Sequence, residues 1–294
     1  MEGIRIGTCS WRFPSWQGLV YREPPNGEAL AEYAERYDTV EVDRWFWSLF
    51  GPRSLRLPES ADAARYRDHV PEGFRFAIKA PDAITLTHYR KKKKGDPLVA
   101  NPRYLDPELF AVFWQRIAPL HDRVGPILFQ FEYLNRQKME GLDAFLDGIR
   151  AFARELPAGP IYAIETRNRA FLKTRFFHAL HDIDWVPVLI SGYWMPSPLD
   201  AYDTDRSWLE RFPSLIIRLL GPDRARIEHQ TGKKWNRIVA PRDAELEGLS
   251  KMSTQLHAAG VSPWIYVNNH YEGSAPLTIE RFLALLSTHS TDTR

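Results

Sequence analysis

The sequence predicts an α/β protein, a single (β/α)8 barrel occupying residues 1–294. Three observations carry this. Short β-rich runs recur eight times with helical stretches between them. Most of the runs are almost continuously apolar, as parallel strands covered by helices must be. No Gly-rich phosphate fingerprint follows the first run, which argues against the alternative, a doubly wound open sheet. A chain of 294 residues sits at the upper end for one domain. No linker interrupts it, and the only low-complexity segment is RKKKKG at 90–95.

The elements follow in order. IRIGTCSW (4–11) reads as the first strand, and GEALAEYAERY (27–37) as a helix with Leu30, Tyr33, Ala34 and Tyr37 on one face. TVEVD (39–43) is the second strand; if it is buried on both sides, Glu41 and Asp43 cannot both be surface charges, and one of them points to the barrel axis. RFAIKA (75–80) and PILFQF (126–131) are the third and fourth strands. The helical pattern is clearest over 137–155, with Leu142, Phe145, Leu146, Ile149, Phe152 and Ala153 on one side. YAIETR (162–167), the helix FFHALHDI (176–183), VPVLIS (186–191) and LIIRLL (215–220) come next. LEGLSKMSTQLHAAG (246–260) is a helix closed by Gly260, WIYVNN (264–269) the eighth strand and LTIERFLALLS (277–287) the last helix.

Composition narrows the class. A 44% hydrophobic and 13% aromatic chain can fill a substantial core, and no apolar run approaches the roughly 20 residues that cross a bilayer. The N-terminal MEGIRIGTCSW has no apolar signal-peptide core. Cys9 alone allows no internal disulfide and no Cys-rich metal cage. The expectation is a cytoplasmic protein without membrane contact. The net charge of +2 hides an asymmetry: segments 88–103 and 221–242 together hold twelve Lys or Arg against three Asp or Glu, +9 in all, while the rest of the chain is −7.

Chemistry on this fold belongs to the C-terminal ends of the strands and the loops that follow them. Those ends read Ser10 and Trp11; Glu41 and Asp43; Lys79; Gln130; Glu165 and Arg167; Ser191; Arg218; Asn268, Asn269 and His270. A barrel filled only for stability would carry Val, Ile and Leu there. Each member alone has a plain structural reading, since Glu41 with Lys79 or Glu165 with Arg167 can be a buried ion pair. The convergence of so many at strand ends points to a site.

GTCSWRFPSWQGLVY, VEVDRWFW, FAIKAPDAITLTH, ILFQF, AIETRN, IIRLLG and VNNHYEGSAPLT resemble, in order and spacing over nearly the whole chain, the YecE-like family (domain of unknown function 72). The resemblance implies a TIM barrel and no particular reaction. Carried over by position, it marks Trp11, Glu41, Lys79, His88, Gln130, Glu165, Arg167, Arg218, Asn268 and Asn269. The chain departs from the pattern at Asp43, where asparagine is usual, and at Trp45-Phe46-Trp47, bulkier than the customary Thr/Ser-Phe-Tyr. Glu132 stands for a proline, and Leu220 for a histidine, which counts against any mechanism that needs that histidine.

Among the chemistries open to such a face, a metal site lacks ligands, because only His88 and His270 sit well and His178 and His181 lie on an outer helix. Lys79 as a Schiff-base nucleophile is disfavoured, since Glu41 and Glu165 would stabilise its charged form. Acid–base hydrolysis needs no metal or cofactor: Glu41 and Glu165 would move protons, with Lys79 beside them. Arg167, Arg218, His88, Gln130, Asn268 and Asn269 would hold a small anionic or phosphorylated substrate, and Trp11, Trp45 and Trp47 could offer it an apolar face. The two basic segments read as loops on the same face. Lys91, Lys92, Lys93, Lys94, Lys233, Lys234 and an exposed Trp235 would there bind a polyanion such as single-stranded nucleic acid. An enzyme for an anionic substrate and a non-catalytic nucleic-acid-binding barrel are therefore the two expectations.

Overall fold

The computed structural model describes residues 3–25, 29–51, 54–91, 93 and 95–291. Its strands are β1 (Arg5–Thr8), β2 (Thr39–Val42), β3 (Leu49–Gly51), β4 (Ser54–Leu55), β5 (Arg75–Lys79), β6 (Val124–Gln130), β7 (Ile161–Glu165), β8 (Val186–Gly192), β9 (Ser214–Gly221) and β10 (Ser262–Val267). All but β3 and β4 close into a barrel in the order β1-β10-β9-β8-β7-β6-β5-β2. β1 pairs in parallel with β2 and β10, β9 with β10 and β8, and β6 with β5 and β7. The helices are α1 (Ala29–Ala34), α2 (Ser60–Asp68), α3 (Asp82–Thr85), α4 (Pro107–Arg116), α5 (Leu142–Ala153), α6 (Thr174–His181), α7 (Pro198–Leu209), α8 (Arg224–Thr231), α9 (Asp243–Ala258) and α10 (Ala275–Thr291). The eight-unit barrel read from the sequence is the fold observed.

Differences lie in the connections. The first strand ends at Thr8, so Ser10 and Trp11 belong to the loop after it. Residues 27 and 28 of the expected first helix lie outside the described residues. The helix expected from 137 begins only at Leu142, because Asn135 turns the chain first, its side-chain oxygen accepting from the N–H groups of Gln137 and Lys138. Segment 221–242 is not a plain loop: it contains α8, started by Asp223 accepting from Arg226 N–H and stopped by Gly232 at φ 60°. Its stretch RARIEHQT buries only Ile227 and Thr231, too few apolar positions to show a helical period. The β3–β4 hairpin gave no alternating signal either.

The chain clusters into two compact units, one of Met1–Glu41, Val70–Arg75 and Val186–Arg294, the other of Val42–His69 and Phe76–Trp185. In the second unit, Phe129 of β6 meets Phe110 of α4, Phe152 of α5 and Trp185, with ring centroids 5.8, 5.5 and 5.0 Å away. Phe129 therefore faces the outer helices. Alternation along a strand then turns Leu128 and Gln130 inward. In-register pairing carries the same sense to Lys79, opposite Leu128, and to Glu165, opposite Gln130. In the first unit Tyr266 is wholly buried and its hydroxyl lies 2.9 Å from Thr39 Oγ1. The in-register neighbours Gly7, Tyr266 and Arg218 share that inward face. Gly7 has no room for a side chain, since a Cβ there would lie 2.1 Å from the Thr39 carbonyl.

Candidate active site at the strand ends

In the second unit three adjacent strands, β5, β6 and β7, end on inward polar side chains: Lys79, Gln130 and Glu165. Glu165 is fully buried and its Oε1 lies 2.5 Å from Arg167 Nη2, two residues on. Lys79 has its ammonium 4.0 Å from the centroid of the Phe46 ring, so a cation–π contact helps to carry its charge in a nearly dry place. Phe46 is held in turn by Asp82, whose N–H donates to the Phe46 carbonyl at 2.7 Å. Asp82 is wholly buried: its Oδ1 accepts from Ser48 N–H, Ser48 Oγ and Leu49 N–H, and its Oδ2 pairs with Arg90 at 2.6 Å. Asp82 thus fixes the loop that supplies Phe46, Trp45 and Trp47. His88 is not at a strand end; it bridges to Ala100 in the following loop, with Nδ1 3.0 Å from Thr87 Oγ1.

In the first unit Glu41 is the inward carboxylate of β2, and both its oxygens accept from Arg218, from Nε and Nη2 at 2.7 Å each. Both residues are buried, and the contact is a bidentate pair. The ion pair anticipated for Glu41 with Lys79 is therefore formed with Arg218. Asn269 has a structural partner as well. Its side-chain oxygen accepts from Ala275 N–H at 2.9 Å and so satisfies one of the donors that open α10. Asn268 orients His270: its Oδ1 accepts the His270 N–H at 3.0 Å and lies 2.6 Å from Nδ1. His270 Nε2 lies 3.1 Å from Glu228 Oε1. Burial pushes the His270 imidazole below its usual range although Glu228 pulls the other way, and Arg224 with His270 holds Glu228 down at about 2. Ser191 faces outward, donating to Glu245 of α9 at 2.7 Å, and so leaves the inward set. Trp11 is buried, with its carbonyl accepting from the Tyr21 hydroxyl.

The basic segments differ from expectation in two respects. Trp235 is 7% exposed, packed edge-on against His270, with its backbone N–H donating to Ser15 Oγ; it offers no open face for a base. Several cations are already paired: Arg90 with Asp82, Arg103 with Asp106, Arg224 and Lys233 with Glu228, Arg242 with Glu245. Lys91, Lys93, Lys233 and Lys234 are exposed, while Lys92 and Lys94 lie outside the described residues. Among the described residues no group of three or more His, Cys, Asp and Glu could hold a metal ion, and no helix is long and apolar enough to cross a membrane. Asp82, Glu228 and Glu245, which organise these contacts, escaped sequence reasoning. For Asp82 the only hint was a Pro-Asp pair directly after a strand.

A closed parallel barrel whose strands end on charged and amide side chains defines a protein of the TIM-barrel class. The chain belongs to the family described as protein of unknown function DUF72, whose model matches residues 5–294. It is 26% identical over 169 residues to the UPF0759 protein YecE of Escherichia coli K12, a match covering 57% of this chain and 50% of that protein. The chain thus matches about half the length of that relative. Two solved structures share the fold, DUF72 family proteins from Enterococcus faecalis V583 and Thermotoga maritima MSB8, each at a TM-score of 0.67 and 18% identity. The first alignment covers 97% of this chain and 95% of that one, the second 97% and 99%.

Proposed function

We propose that this protein is a cytoplasmic enzyme that performs acid–base chemistry, hydrolysis in the first instance, on a small anionic or phosphorylated substrate. The observation that carries the reading is the row of Lys79, Gln130 and Glu165 on three adjacent strand ends, with Arg167 against Glu165. Two cations and one carboxylate leave a net positive charge beside a group able to accept a proton, the combination an anionic substrate needs. Glu165 is the proton-handling group of this reading, Lys79 and Arg167 hold the anion, and Gln130 orients it. Glu41 serves as a positioning partner of Arg218. The test is turnover of a panel of phosphate monoesters and diesters by the purified chain and by Glu165→Gln. Turnover of one class, lost in the variant while inorganic phosphate still raises the melting temperature of both, supports the reading. No turnover together with no phosphate-dependent shift rejects it.

A second reading is a barrel that binds single-stranded nucleic acid without catalysis, supported by exposed Lys91 and Lys93 on the segment after β5. It is tested by anisotropy titration of a labelled oligonucleotide at several salt concentrations. The absence of binding at low salt removes it.

A further inference from the structure

A cleft of about 450 Å³ opens within the second unit, between the β3–β4 hairpin and the start of α2. This is a usual size for a small-molecule site, typically about 300–1,000 Å³. Its aromatic walls are Trp45, Trp47 and Phe50, and its basic groups are Arg44 and Arg56. Two features set it apart from ordinary surface. Trp47 and Phe50 are 56% and 59% exposed, two large apolar side chains lining one cleft, where scattered single exposures are the norm. Trp45 is buried and stacked on Tyr66, with centroids 5.4 Å apart at 18°, and its Nε1 has no acceptor among the described residues. A buried donor without an acceptor is unfavourable, and an occupant that brings one removes the penalty.

The charges of the lining select the occupant. Its two carboxylates already have arginines of their own, Glu59 with Arg116 at 3.0 Å and Asp62 with Arg65. Arg90 lies 4.8 Å from the Trp47 ring centroid, and Arg56 5.7 Å from that of Phe50. The cleft therefore combines exposed aromatic side chains, a wall residue whose buried indole donor lacks an acceptor, and guanidinium groups in its lining. A ligand complementary to all three has a π face, ring acceptors and a phosphate.

We propose that this cleft is a mononucleotide-binding site, separate from the strand-end residues. The base stacks on Trp47 and Phe50 with an acceptor toward the Trp45 wall, and the phosphate meets Arg44 and Arg56. The volume holds one nucleotide, which favours a free mononucleotide over a strand. Isothermal titration calorimetry of the full chain with AMP, adenosine and inorganic phosphate tests this. AMP is expected to bind saturably, and adenosine and phosphate each about tenfold or more weaker, because each keeps only half of the contacts. Trp47→Ala and Arg56→Gln, both at exposed positions, are expected to weaken AMP by about tenfold. Trp45→Phe keeps an aromatic ring in the wall, removes the N–H and weakens AMP less. Glu165→Gln leaves unchanged the part of AMP binding that Trp47→Ala and Arg56→Gln remove, so the cleft and the proposed reaction can fail independently. Absence of saturable AMP binding, or unchanged affinity in Trp47→Ala and Arg56→Gln, overturns the proposal. A hexadeoxyadenylate that binds tenfold tighter than AMP, and loses this in Trp47→Ala, overturns the free mononucleotide and assigns the cleft to a strand.

Discussion

Glu41 and Arg218 meet through two hydrogen bonds of 2.7 Å in a dry interior, so neither can lose its partner cheaply. Arg218→Met leaves a buried carboxylate alone and is expected to cost about 3–5 kcal/mol in urea unfolding, whereas Glu41→Gln combined with Arg218→Met recovers much of the loss. Recovery identifies the pair as positional. Asp82 illustrates the same logic in the other unit: Asp82→Ala orphans two N–H groups and one hydroxyl at the root of the β3–β4 hairpin and should cost about 3 kcal/mol. Its partner Arg90 is 43% exposed, so on losing Asp82 that guanidinium is left to water rather than buried alone. At this scale the sequence exposed Glu41, Lys79, Glu165, Arg167 and Arg218 because charged residues inside apolar runs stand out. It did not tell which cation each carboxylate takes, since partners 177 positions apart are chosen by folding. Asp82 stayed hidden because an aspartate near a proline looks like any turn residue.

Among the elements, β6 links packing to function most directly, since Phe129 outward and Gln130 inward are consequences of one alternation. Phe129→Ala empties the space between Phe110, Phe152 and Trp185 and is expected to cost about 3–5 kcal/mol by chemical denaturation. Asn269, expected to meet substrate from its strand-end position, secures the start of α10. Asn269→Ala should lower stability by about 1–2 kcal/mol while leaving the KM of the proposed reaction unchanged, which separates a structural role from a binding one. The α8 segment shows where periodicity is blind. Its helix is written in caps, Asp223 and Gly232, and in the Arg224–Glu228 pair one turn apart, not in an apolar stripe.

Across the whole molecule the net charge of +2 says little, because cations of the basic segments are spent on local carboxylates. Any binding of single strands should therefore show a shallow salt dependence. Each phosphate neutralised contributes about −0.7 to the log–log slope, and replacing Lys91 and Lys93 with serine should flatten it further. The acid side of the stability profile is set by groups whose protonation opposes the fold. His270 sits below its usual range when folded, so the unfolded chain binds the extra proton first, and stability falls as pH drops below about 6.5. Glu228, held at about 2, adds a loss that begins near the unfolded glutamate value of about 4.3 and continues down to its own. Asp38 and Glu272 are raised by burial and work the other way, their share of the stability being lost as pH rises above the unfolded carboxylate range of about 4. Melting temperature against pH should decline from pH 7 to 5.5, and His270→Asn should flatten that limb. An unchanged limb in the variant removes His270 as its cause.

By itself the sequence determined the barrel, because eight apolar runs separated by helical stretches call for a parallel sheet covered on both faces, and no Gly-rich fingerprint after the first run favoured the open doubly wound form. It also determined which chemical groups stand at the strand ends, since these break the apolar runs at fixed places. Tertiary structure alone decided their roles. It gave Arg218 to Glu41, turned Ser191 outward to Glu245, closed Trp235 against His270 and left Trp47 and Phe50 open beside two arginines. The reason is physical. Local patterns fix the direction of a side chain within its own element, whereas the identity of its partner depends on which distant segment the closed sheet brings opposite it.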